Sequence, residues 1–183
     1  FNLRRDESSR IPKKNRTGYF PSVSVGWNIA QEAFMEKYSF ISQLKLRGSW
    51  GELGNQEIGY YPFAQYIGLG NNYVWGDNKV SGVAISSLAN PDIKWETTAT
   101  TDIGIDAAFL NNKITLTADY FYKKTSDILL QLPIPGIVGI STEPYVNAAS
   151  VKNEGWEFAL GYNDQWGDWK FGANVNFSKV KNE

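Results

Sequence analysis

Four carboxylates, Glu96, Asp102, Asp106 and Asp119, have the spacing in this sequence that could do chemistry. Side chains in an extended chain alternate between two faces, so Glu96, Asp102 and Asp106 share one of them. Asp119 falls on the matching face of the next extended segment. Two carboxylates flanking a glycosidic bond can serve as acid and base, or as acid and nucleophile, which would make a glycoside hydrolase. The plainer reading has these acids line a wet surface or pair with Lys94, Lys113 and Lys123. Hydrolysis needs a defined carboxylate separation, which spacing in sequence does not supply. No catalytic residue is assigned.

Composition closes the other common routes to catalysis. The 183 residues contain no histidine and no cysteine. The usual general base, the usual metal ligand, thiol nucleophiles and disulfides are therefore absent. Ser126 and Ser141 have no imidazole to activate them. Gly68-Leu69-Gly70-Asn71 is too short for a dinucleotide fingerprint, and Asp77-Asn78 lacks the remaining ligands of a calcium loop. No metal and no cofactor are expected. Lysine and arginine number 18 against 19 acids, and no basic patch interleaves with aromatics, so nucleic acid is not a partner. Asn15-Arg16-Thr17 and Asn176-Phe177-Ser178 fit the three-residue glycosylation sequon.

Binding is better provided for than catalysis. Between Leu53 and Ile93 the chain carries Tyr60, Tyr61, Phe63, Tyr66, Tyr73 and Trp75 among glycines and asparagines. Such rings can stack on a sugar or a peptide side chain while Asn55, Asn71 and Asn72 hydrogen-bond to it. They could equally hold a long loop together or dock a covering protein. Pro133–Ile140 is a second, apolar loop suited to a lid contact or to local packing.

The framework behind these loops is legible in parity. Six segments alternate apolar and polar residues: Tyr19–Ile29, Ser42–Trp50, Lys94–Phe109, Lys113–Lys123, Gly155–Asn163 and Trp169–Ser178. A slip of one residue would reverse each face, so the register is well specified. Asn111-Asn112 predicts a tight hairpin that needs positive φ. Short connections (Ala30–Phe40, Asn111-Asn112, Asp164–Asp168) fall at one end of an antiparallel meander. Long ones (Leu53–Ile93, Ser126–Ser150) fall at the other. That is the plan of an outer-membrane β-barrel, with short turns on one side and long loops on the other. No run of 18 apolar residues is present, which bears on helices and not on strands. Trp95 and Phe109 share a face near opposite ends of one segment, about 46 Å apart along it and about 35 Å along the normal at about 40° tilt. They would bracket an apolar band of about 25 Å. A soluble carbohydrate-binding β-sandwich alternates as well and stays open at this point.

Particular residues carry a resemblance. Ser8-Ser9-Arg10, Gly18–Ser22 with Gly26-Trp27, Leu44–Gln56, Asn90-Pro91 with Trp95-Glu96, Asp102–Asp106, Asp119–Leu129 and Val151–Glu157 follow in order over nearly the whole chain. Together they resemble the barrel of the SusC/RagA family of TonB-dependent outer-membrane transporters. The resemblance implies an all-β fold, an antiparallel meander of about six long strands forming an open sector of a large transmembrane β-barrel. Residues 1–183 would be part of the barrel domain, without the plug domain, signal peptide, TonB-engaging segment and closing strands. It further implies import of oligosaccharides or peptides, a TonB complex, a SusD-like surface lipoprotein and a Gram-negative outer membrane of Bacteroidota, with no catalysis in this segment. On that view Leu44, Leu46, Ile103, Ile105, Leu116, Phe158 and Leu160 meet lipid. Lys45, Arg47, Glu96, Asp102, Asp106, Asp119 and Glu157 line the lumen.

Overall fold

Alternation extends over longer segments than the sequence suggests, and each becomes a strand. The computed structural model describes residues 1–140 and 142–183; Ser141 lies outside them. Its main element is a seven-stranded antiparallel sheet of β1 (Asn2–Glu7), β2 (Thr17–Asn28), β3 (Ile41–Asn55), β8 (Glu96–Phe109), β9 (Ile114–Gln131), β10 (Tyr145–Trp166) and β11 (Trp169–Asn182), in that order. Four short strands lie in the connection between β3 and β8: β4 (Ile67–Leu69), β5 (Tyr73–Trp75), β6 (Asn78–Val80) and β7 (Val83–Ile85). β4 pairs with β7, and β5 with β6.

The register lines up like with like. One row across six strands reads Trp27, Leu46, Ile105, Ala118, Phe158 and Phe177. The adjacent row, on the opposite face, reads Gly26, Arg47, Gly104, Asp119, Glu157 and Ser178. The apolar face stays open: Ile103 is 59% and Val175 65% exposed. The long sheet is a single layer and does not close, so the β-sandwich expectation is overturned.

Turn geometry agrees with parity. Leu110, Asn111 and Asn112 all have positive φ (53°, 55° and 65°), as the β8–β9 hairpin requires. Gly167, at φ 59°, makes the two-residue β10–β11 turn. The β2–β3 connection is two turns of 3-10 helix, closed by the Trp27 indole donating to Glu32 at 2.8 Å. These three connections leave one end of the sheet. The β1–β2, β3–β8 and β9–β10 connections leave the other.

The compact core forms at that long-loop end. Ile11 and Ile93 are fully buried there with Phe20, Ile58 and Trp95, and Leu129 and Tyr145 pack against them. Trp95 meets Phe20 edge to face at 5.5 Å, and its indole N–H donates to the Arg16 carbonyl at 3.1 Å. The expectation that Trp95 and Phe109 bracket an apolar band therefore fails at Trp95, which is buried. Trp95 lies just before β8, inside the packed loop roots, so Phe109 has no partner there across the apolar band.

Candidate functional site

Two regions gather functional side chains: the polar face of the sheet and the loops at one end. On the polar face, Arg47 of β3 stands opposite Gly104 of β8, which stands opposite Asp119 of β9. Gly104 has no side chain to block the way, so the guanidinium crosses over it to a strand two places away. Arg47 donates from Nη2 to Asp119 at 2.7 Å, from Nε to Asp106 at 3.1 Å and from Nη1 to Asp102 at 3.3 Å. Thr117 donates to the other oxygen of Asp106 at 3.2 Å. A Cβ on Gly104 would collide with the Asp119 carboxylate and approach the Arg47 guanidinium carbon to 2.7 Å.

One cation therefore holds three carboxylates that the sequence had offered to lysines. Lys94 pairs instead with Asp127 at 2.8 Å, and Lys113 with Asp164 at 2.7 Å. Glu96 belongs to the loop end. It accepts from the Asn55 amide at 3.2 Å and from the Leu129 N–H at 3.1 Å. Glu157 is directly across from Asp119. Lys45 is across from Asp106 on the same face. On the opposite face the register aligns Leu44 with Ala107 and Leu116, Leu46 with Ile105, Ile103 with Tyr120, and Leu116 with Leu160.

The loop aromatics fall into two groups. Tyr61 and Phe63 meet edge to face at 6.1 Å, and the Tyr66 hydroxyl donates to the Tyr60 and Tyr61 carbonyls at 3.3 and 3.4 Å. The Arg10 guanidinium lies 5.2 Å over the Tyr60 ring, tying this group to the β1–β2 connection. Tyr73 and Trp75 form the second group on the β5–β6 hairpin, 6.4 Å apart. Tyr60 is 77% and Trp75 73% exposed, so both offer open ring faces. Asn71 spends its amide on the Gly68 carbonyl at 3.1 Å, and the Asn72 N–H bonds to Gly70, so both build the turn. The Pro133–Ile140 loop carries a turn of 3-10 helix at Gly136–Val138, with Ile137 96% exposed. A parallel bridge from Ser87 to Thr142 joins it to the long loop.

Beneath these tips the loop roots are fused by amides that sequence reasoning missed. Asn147 accepts from the Lys94 N–H at 3.0 Å and donates to the Lys94 and Asp127 carbonyls at 2.9 and 2.8 Å. Asn15 donates to the Asp92 and Ile93 carbonyls, and Asn90 to that of Tyr145. Ser8 bonds to Gln56, and Lys14 pairs with Asp92. Three connections distant in sequence thus share one base. A mid-strand glycine such as Gly104 is a readable mark of close approach. Asparagines in loops carry no such mark. At the turn end, Lys113 is held above the ordinary lysine range, chiefly by its hydrogen bond to Asp164.

These features match a known family. The model of the TonB dependent receptor-like β-barrel matches residues 1–183. TonB-dependent receptor P3 of Formosa agariphila is 35% identical over 185 residues, covering 100% of this chain and 18% of that protein. TonB-dependent receptor SusC of Bacteroides thetaiotaomicron is 37% identical over 164 residues, covering 87% of this chain and 16% of its own length. Solved structures of the RagAB peptide importer in its closed-closed and open-open states each superpose at a TM-score of 0.84 with 33% identity. They cover 99% of this chain and 20% and 19% of theirs. The chain thus spans under a fifth of the length of the curated relatives it matches. By residues, by strand order and by these likenesses, the chain belongs to the TonB-dependent receptor-like β-barrel family.

Proposed function

We propose that this chain is a stretch of barrel wall in an outer-membrane, TonB-dependent importer of oligosaccharides or peptides. The observation that carries the reading is the two-faced sheet. An apolar row crosses six strands, and the row beside it on the other face carries the Arg47 cluster. The apolar face takes Leu44, Leu46, Ile103, Ile105, Leu116, Phe158 and Leu160 to lipid. The polar face turns Lys45, Arg47, Glu96, Asp102, Asp106, Asp119 and Glu157 to the lumen. Length supports the assignment: Trp156 to Trp166 on β10 is about 33 Å of strand, or about 25 Å along the normal at about 40° tilt, the height of an outer-membrane apolar band. In a Gram-negative cell the turn end then faces the periplasm, where a TonB complex acts. The loop end faces outward, where a SusD-like lipoprotein closes over the mouth and Tyr60 and Trp75 meet substrate. The segment performs no catalytic step; its work is to hold a wall and present loops.

An arginine on each face of the full-length protein tests the facing. Ile105→Arg places a charge in lipid at a cost of about 2–4 kcal/mol near mid-bilayer, and lowers recovery of assembled barrel. Asn174→Arg, on the polar face of β11 opposite Gly161 and away from the Arg47 cluster, leaves recovery near wild type. Greater damage from Asn174→Arg would reverse the assignment.

A further inference from the structure

The apolar face is not uniformly apolar along its height. From β1 to β11 its charged side chains, Arg5, Glu7, Glu52, Lys124, Lys152, Glu154, Lys179 and Lys181, lie toward the loop end; Asp164 near the turn end is the exception. Cations concentrate on the last three strands. Lys124 of β9 is directly opposite Lys152 of β10. Lys179 of β11 is opposite Trp156 and Lys181 opposite Glu154. Directly opposed like charges repel across a strand pair, so the Lys124–Lys152 pairing costs the isolated sheet stability. Two acids answer part of this charge: Glu183 pairs with Lys181 and lies 3.3 Å from Lys152, and Glu154 lies 4.0 Å from Lys181. Lys124 and Lys179 have no ion-pair partner among the described residues. Below Lys124 and Lys152, and level with Lys179, Tyr120 and Trp156 pack at 4.9 Å, with Phe158 stacked on Trp156 at 6.1 Å. Cations above and beside an aromatic row, at the upper edge of a lipid-facing surface, are placed to meet lipid headgroups.

We propose that Lys124, Lys152 and Lys179 form a binding surface for the phosphate groups of outer-leaflet lipid. This rests on the lipid-facing assignment above. The phosphate answers the opposed lysines, and Trp156 and Tyr120 carry the adjoining headgroup boundary, where rings with a polar edge are at home. Long lysine stems reach the headgroup level from the wall while their methylenes cover apolar surface. The charge placement favours a lipid with net negative charge on its phosphates over a zwitterionic phospholipid.

The test uses the full-length protein, purified in mild detergent and titrated in mixed micelles with phosphorylated lipid A and with the same lipid dephosphorylated. Wild type binds the phosphorylated form preferentially. The Lys124→Gln, Lys152→Gln, Lys179→Gln triple variant binds it more weakly, by on the order of tenfold to a hundredfold. Lys124→Gln alone removes the opposed pair, assembles at least as well as wild type, and shows a smaller loss in the same direction. A Lys123→Gln control on the polar face leaves lipid binding unchanged. Equal binding by wild type and the triple variant, or no preference for the phosphorylated lipid, overturns the proposal. So does full displacement of the lipid by inorganic phosphate, which would make this a free-anion site. Heat-modifiable mobility of the outer-membrane fraction separates the two readings. Assembled barrel with unchanged lipid binding refutes the lipid site alone, whereas wild type missing from the outer membrane refutes the lipid-facing assignment beneath it.

Discussion

Substituting Gly104 by alanine perturbs the Arg47 bridge without touching any of its members. A Cβ at Gly104 would overlap the Asp119 carboxylate and come within 2.7 and 2.9 Å of the Arg47 guanidinium carbon and Nη1. Neighbouring strands fix the backbone on both sides, so the side chains must give way. The first bond to fail is Arg47 to Asp119, at 2.7 Å the shortest of the three. Hydrogen bonds to charged groups contribute about 1.5–3 kcal/mol each. Arg47 is 31% exposed, so water replaces part of what is lost and the lower half of that range applies. The expected destabilisation is about 1.5–2 kcal/mol, measured as the urea midpoint of the full-length protein in detergent. Arg47→Met should cost more, because it leaves three carboxylates facing one another with their common cation gone. The decisive quantity is the coupling. In the Arg47→Met background Gly104→Ala should lose most of its effect, since Asp119 is then free to turn away. Additive effects, or a Gly104→Ala variant within about 0.5 kcal/mol of wild type, would refute the bridging role.

Other perturbations reach different parts of the molecule. Asn147→Ala removes an amide that bonds Lys94 and Asp127. Hydrogen exchange should speed up through residues 90–95 and 127–131 while the amides of β10 and β11 near the turn end keep their protection. Lys113, raised by Asp164, contributes stability that is fully present below the unfolded lysine value and lost as pH rises through the higher folded one. The unfolding midpoints of wild type and Lys113→Met should therefore converge in strong alkali, and a difference that persists there would count against the pairing. Tyr60→Ala and Trp75→Ala each remove an open ring face and should weaken substrate affinity by about tenfold if stacking contributes about 1–1.5 kcal/mol. Unchanged affinity in both would move recognition elsewhere.

How far the sequence speaks differs from part to part. Faces and turns were readable, because strict alternation and paired asparagines each have one structural solution. β1 was not: Leu3 is the one large apolar residue in Asn2–Glu7, so no period marks it, and its pairing with β2 decides it. The short strands β4 to β7 hid in a segment that reads as loop, since three-residue strands are too short to show a period. Trp95 misled because parity places a residue on a face without saying what covers that face. Here Ile11, Ile58 and Phe20, from remote segments, cover it. The acids of the polar face were legible as a cofacial set. Their common partner was not, because Arg47 reaches Asp119 only through a register spanning three strands and a glycine between them.

The proposed function turns on one face of the sheet meeting lipid and the other a water-filled interior. The 183 residues contain no cysteine, so single cysteines placed along β11 report one position each within this segment. In full-length protein reconstituted into vesicles, a bimane label at Ala173, Val175 or Phe177 should be quenched by brominated lipid and resist a water-soluble thiol reagent. Labels at Asn174, Asn176 and Ser178 should behave in the opposite way, giving a period of two along the strand. Quenching that is uniform along β11, or strongest at the asparagines, would contradict the account.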